Sequence, residues 1–488
     1  AVSTSKIQAL TGEFKMKSGF YAAVSAIALL SSGAVQAAVD INIASITQAA
    51  SSSQTTATIS QINSITASSA YIVQDAAGSG NDRATVAITQ GDGSGNAASN
   101  TAKVTQQSVS NGADITLFQY GEAGGTNYAD VLQSALDGGS ATITQYSGAG
   151  GTNTIGKQFS STSNQSILND SAGFTQMGTG NTATINQRSI GATNSMSGVM
   201  QTGTSTNFTV NQGQSMSSGG SNEIYSVTAS GNLTVNQDSE AGTNSLRNFS
   251  GGGTNSTITQ SALSGNNYIG FSTTVDVTNA TVTINQTSTG SGENNIGVDS
   301  AVSVTGGTLT INQTTAGSFY IVNLTMSGGT LDIKQLDENQ GYGTVTIAAF
   351  SGGTGLIEQR AGSNGGNNLI TVESYDTSAS SVAVLQNGGD NSISVNRGNG
   401  SSDNNSDDDG TNGYGSAATV FDLFYSRLTI EQYGTYNTAN LTQNTADNVG
   451  RIYQNGTGNA ATINQTIRSG NTAFIVQLGG NGIATINQ

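Results

Sequence analysis

The chain has 488 residues, 34% hydrophobic and 9% charged, with a net charge of −16 and no Pro, His, Cys or Trp. Without His or Cys there is no imidazole or thiolate metal site, no Ser–His or Cys–His nucleophile pair and no iron–sulfur ligation. So few apolar residues exclude large conventional cores, and 14 Lys plus Arg against 30 Asp plus Glu argue against a nucleic-acid partner.

Residues 16–37 read as a secretory signal peptide. Lys17 supplies a positive start and Phe20 to Leu30 an apolar run, and Val35-Gln36-Ala37 places small residues before a cut after Ala37. The run is too short to span a membrane. A buried helix is the other reading, set aside because nothing else in the chain reads as helical. Met16 is the expected start, and the mature product is expected outside the cell with no membrane span.

From residue 38 one phrase returns. ATITQ ends at Gln145, ATINQ at Gln187, LTVNQ at Gln237, TVTINQ at Gln286 and TLTINQ at Gln313. Between Gln187 and Gln335 the clearest endings lie 22–27 residues apart, with weaker strands between them, so two short strands make one unit. Each strand alternates with period two. Counting back from Gln465, one face holds Ile463, Ala461 and Asn459. From Gln286 it holds Ile284, Val282 and Ala280, and from Gln432 it holds Ile430, Leu428 and Ser426. The turns are rich in Gly and Asn, as in Asn455-Gly456-Thr457-Gly458. One such unit cannot bury its thin apolar face. Stacking puts Ile on Ile and lets inward Gln and Asn amides pair from coil to coil, which removes the cost of burying them. The expected fold is therefore all-β, a β-solenoid or cross-β stack of strand–turn–strand repeats. At about 24 residues per coil, residues 38–488 make about nineteen coils, about 90 Å at the spacing of paired strands. The absence of Pro suits such ladders.

An acidic insertion at 398–416 divides an irregular array, 38–397, from a regular one, 417–488. Within it, Ser402 to Gly410 brings hard oxygen ligands together as calcium requires, but without EF-hand spacing or a terminal bidentate Glu. A solvated acidic loop that discourages premature pairing is preferred. In the regular array the Gln endings at 432, 443, 454, 465, 477 and 488 are 11, 11, 11, 12 and 11 residues apart. Outward aromatics, Tyr433, Tyr453 and Phe474, are expected to stack in ladders or to pack laterally. Outward Thr suggests an ice-binding face. The row reads as broken, because Asp332 and Lys334 take outward places and Asn often sits beside the final Gln, as at Asn186 and Asn464. Glu358 and Glu431 read as solvated surface charge. No catalytic, cofactor or metal site is expected.

The last array also carries a longer phrase. Gln454, Gly456, Asn459, Ala461 and Gln465 fit Gln-x-Gly-x2-Asn-x-Ala-x3-Gln. So do Gln176, Gly178, Asn181, Ala183 and Gln187, and so do Gln432, Gly434, Asn437, Ala439 and Gln443, with Ser426 six residues ahead. Asn448 holds the Asn place between Gln443 and Gln454. Gln465 to Gln477, with Asn471 and Ala473, fits with one inserted residue, and the last unit runs from Gln477 to Gln488 with Gly482 in the Asn place. In this the chain resembles the curlin family, subunits of the bacterial extracellular amyloid curli. The resemblance implies a stack of repeats and export through an outer-membrane channel. It also implies nucleation by a minor subunit and polymerisation with further copies into a biofilm-matrix fibre that also mediates adhesion. These Gln and Asn residues are then the expected amide ladder, and an uncapped last repeat the expected site of end-on addition. The alternative is a monomeric solenoid, an adhesin or an ice-binding protein. No enzymatic activity is expected.

Overall fold

The computed structural model describes strands from Ile41 to Asn487 and many of their turns. Residues 1–40, 157–172, 214–219, 338–342, 361–367, 396–418, 421–426, 466–471 and 488, with shorter connections, lie outside the described residues, and between 360 and 450 only backbone is described. The expected leader, 1–37, and the acidic insertion, 398–416, are therefore outside them.

The described residues form an all-β solenoid. Two parallel sheets, one of sixteen strands and one of twenty-five, enclose one apolar core. Each coil gives one strand to the first sheet and one long or two short strands to the second. A typical coil runs Thr182–Ile190 in the first sheet, then Asn194–Met196 and Val199–Thr202 in the second, and returns at Asn207–Gly213.

The alternation read from the sequence sets which side is buried. In Thr281–Ser288 the β-branched Val282 and Ile284 face inward and are fully buried, while Thr283 is half-exposed. Like residues then lie on like: Val210 on Val235, Ile258 on Ile284, Ile284 on Ile311 and Ile311 on Ile333. Each such side chain contributes about 1.5–3 kcal/mol of burial. A slip of one residue would replace the Ile column by Thr, so the register is firmly specified. At several places where a strand of the second sheet breaks in two, a left-handed glycine makes the bend, as at Gly156 and Gly198 (φ +79° and +64°). At Gly156 a Cβ would sit 2.6 Å from Ser197 Oγ.

Sixteen rungs fall among the described residues in the first sheet, against the nineteen coils expected from a constant repeat. The repeat is not constant. The strand-ending Gln residues are 42 residues apart between Gln145 and Gln187 and 46 apart between Gln386 and Gln432, and residues 157–172 and 396–418 fall in those gaps. Pairing carries straight over the insertion, with Gln386 opposite Gln432, so strands before and after it belong to one sheet.

Candidate functional site

The feature that runs the length of the solenoid is a column of glutamines. Every strand of the first sheet contributes one, from Gln61 to Gln477, and each lies opposite the next in register. From Gln90 to Gln359 ten successive bonds of 2.6–2.8 Å join them, each Nε2 donating to the Oε1 of the coil before. The glutamines in this run are fully buried.

A second column stands across the corner, in the second sheet. Eight asparagines from Asn100 to Asn294 are joined by seven bonds of 2.8–2.9 Å. Here each Nδ2 donates to the Oδ1 of the coil after, so the two columns run in opposite directions.

Each amide has a second N–H, and its use ties the columns together. Gln145 Nε2 donates to the Thr154 carbonyl, beside Asn153 (3.1 Å), while Asn153 Nδ2 donates to the Arg188 carbonyl, beside Gln187 (2.7 Å). Gln237 with Ser245, and Asn222 with Asp238, repeat the exchange. Both donors of each amide are thereby used, and the corner between the sheets is clasped from both sides. Buried amides cost several kcal/mol when unpaired, so this arrangement tolerates only Gln and Asn in matched rows.

The expected ladder residues divide between the two sheets. Gln187, Gln432, Gln454 and Gln477 stand in the main column. Gln176 belongs to a shorter column in the second sheet, bonded to Gln133 at 2.7 Å and to Gln201 at 2.9 Å. Gln443 and Gln465 pair with each other in that same sheet. Asn181 does not ladder. It is buried in a turn, its carbonyl oxygen accepts the Gly139 N–H at 2.7 Å, and its Nδ2 has no partner. Asn459 is buried with neither amide atom paired among the described residues. Asn437, Asn448, Asn471 and Gln488 lie outside the described residues. From Asn194 to Asn294 the asparagines that ladder open short Asn-x-apolar strands, such as Asn244–Leu246 and Asn267–Ile269, while Asn100, Asn127 and Asn153 are the second residues of Ser99–Val109, Thr126–Asp137 and Thr152–Ile155. Their signal in the sequence is this phrase, recurring 7–10 residues after each column Gln from Gln90 to Gln286.

In register, the aromatics of the regular array stand opposite other residue types. Tyr433 lies between Asn387 and Asn455, and Tyr453 between Glu431 and Val476, while Phe474 follows Arg451. Stacked pairs among the described residues include Tyr120 with Tyr146, centroids 4.6 Å apart and the Arg188 guanidinium over the second ring, and the buried Phe174 with Phe208, centroids 5.3 Å apart. Glu358, expected on the solvated outer side, is buried.

The last described coil leaves its core uncovered. Ile463 and Ala461 are 0% and 1% exposed, yet Ile486, opposite Ile463, is 47% exposed, and Ile483 beside it is 67% exposed. The strands Thr472–Leu478 and Ile483–Asn487 each pair on one side only among the described residues. Also among them, no group of three acidic residues could hold a metal ion, and no helix is long and apolar enough to cross a membrane. No protein-family model matches the chain, and no curated protein or solved structure is detectably similar to it.

Proposed function

We propose that the protein is a structural, non-enzymatic subunit of a curli-like extracellular fibre that grows by stacking further copies of itself on the end of the solenoid. The observation that carries this reading is the in-register glutamine column, continuous from Gln61 to Gln477. A column of identical amides presents the next coil with the same pattern that every coil presents to its neighbour, which is the requirement for templating. Secretion through an outer-membrane channel, a separate nucleator and adhesion belong to the same reading and rest on the curlin-like phrases.

The test is to refold the chain from denaturant at several concentrations, image the product and record its fibre diffraction. Long unbranched fibres that seed their own growth and reflect at about 4.7–4.8 Å are expected. Compact particles no longer than one solenoid, at every concentration, would replace this reading with a monomeric adhesin or ice binder. The Gln477→Leu variant removes the acceptor that the next copy's column needs. Leaving a buried amide donor unpaired costs about 1–3 kcal/mol, so seeded growth should slow about tenfold or more. Unchanged seeding would remove the column from the mechanism.

A further inference from the structure

We propose that two copies pair face to face through an uncharged face of the sixteen-stranded sheet; this deepens the fibre reading and takes its setting from it. Over seven successive rungs, from Ser140–Ala149 to Thr308–Thr315, the three outward places before each column Gln hold only Ser, Thr or Asn. The middle place is Thr on every one of them, Thr142 through Thr310. The Thr row read as broken is thus unbroken here. Its breaks are at the ends, where Asp114 and Phe118 precede it and the Asp332–Lys334 ion pair follows at 3.0 Å.

Three properties suit this face to a second copy. The first is charge. Each chain carries −16, so two copies repel except where no charge faces the other. Within these three columns no charge stands; Arg188 and Asp238 lie at the border of the face, one outward place beyond the column Gln, and Glu223 and Arg247 lie around Tyr225 in the second sheet. The second is preorganisation. Asn186, Asn211 and Asn236 already bond to one another at 2.8 and 2.9 Å, so removing water from them leaves few amide groups unpaired. Thr is stiff at χ1 and offers a methyl on each rung. The third is area. Seven rungs by three columns measure about 34 Å by about 20 Å, about 1,300 Å² summed over both copies. That lies within the range of stable interfaces, about 1,200–2,000 Å². Rows of identical residues match themselves under a two-fold axis, and interdigitated Thr and Asn are what a dry sheet-to-sheet contact contains.

Thr234 sits on the middle rung and middle column of the face, half-exposed, so its replacement leaves the core intact. The experiment is sedimentation of the full chain before seeding, with Thr234→Lys and Thr234→Asp, separately and mixed. Wild type is expected at twice the 49.1 kDa chain mass, each variant at the single mass, and the equimolar mixture paired again. Circular dichroism like that of wild type shows that each variant has folded. Variants that pair as wild type does would overturn the proposal, and so would a wild type that stays single at every concentration. A wild type that pairs yet forms no fibres upholds the pairing and rejects the fibre. Fibres whose mass per length is that of one solenoid do the reverse. A single wild type that binds to growing ice, and loses this in Thr234→Lys, would assign the face to ordered water instead.

Discussion

A buried amide in this protein is held by what its neighbours are. Gln237 donates to Gln212 and accepts from Gln260, both at 2.8 Å, and its other N–H reaches the Ser245 carbonyl. Gln237→Leu leaves Gln260 without an acceptor and Gln212 without a donor. The expected loss is about 2–5 kcal/mol, read from the urea midpoint. Asn312→Ala, which breaks a similar but half-exposed amide pair with Asn285, should cost under about 0.5 kcal/mol. Tyr225 gives a pH signature. Burial, then the hydrogen bond from its hydroxyl to Glu223, push its pKa up to about 12 from an ordinary 10. The folded state therefore keeps the proton longer than the unfolded chain does. Its stabilising contribution is complete below about pH 10 and is lost as the pH rises towards 12. Alkaline unfolding followed by circular dichroism should begin at higher pH in Tyr225→Phe than in wild type.

At the scale of strands and turns, glycines separate three situations that one substitution can distinguish. Gly156→Ala forces a left-handed residue and drives its Cβ into Ser197 and Gly173, at a cost of about 3 kcal/mol or more. Gly138→Ala meets open space at φ +67° and should cost about 1–2 kcal/mol. Gly213→Ala meets open space without a left-handed φ and should be neutral or stabilise by up to about 1 kcal/mol. Thermal melts of the three rank them. The same scale shows what could be read in advance. Strands ending in Gln were legible because seven or eight residues suffice to display period two, and Ile463, Ala461, Ile284 and Val282 are buried as expected. The asparagine column was not legible. From Asn194 on its strands are three residues long, too short to show a period, and their distance from the Gln varies. The Asn of the curlin-like phrase misled at Asn181, because a turn can bury an amide by binding one backbone N–H.

For the whole molecule, sixteen rungs fall among the described residues and nineteen coils were expected, because a mean repeat length ignores column Gln residues that stand 42 apart at Gln145 and Gln187 and 46 apart at Gln386 and Gln432. The Thr face was missed for a related reason. A row across coils exists only once register is known, and Asp332 lies just beyond its end. The acidity of the chain also sets how copies meet. With −16 on each, encounter is slowed by repulsion that salt screens over about 10 Å at 0.1 M. Seeded growth should therefore rise several-fold between about 10 mM and about 150 mM salt at pH 7. It should rise again as the pH falls towards the isoelectric point near 4.1. Light scattering during seeded growth checks both.

The opposed hydrogen-bond directions of the two amide columns make the solenoid an electrical object as well as a mechanical one. Each amide is a dipole, and a file of them pointing one way adds up along its length, as peptide units do in a helix. Between Gln212 and Asn294 the buried glutamine file points one way and the buried asparagine file the other, and their fields oppose, while the outer bonds from Asn211, Asn232 and Asn236 add to the glutamine direction. After Asn294 the asparagine place is taken by Phe319 and then Gly343, while the glutamine file continues through Gln313, Gln335 and Gln359. As far as Gln359 no asparagine file opposes it among the described residues, and the carbonyl end of each amide, partly negative, faces the later coils. The stretch from Gln313 to Gln359 is then polarised along its length, where the coils before it are partly compensated, and it would turn in an applied field with a preferred direction.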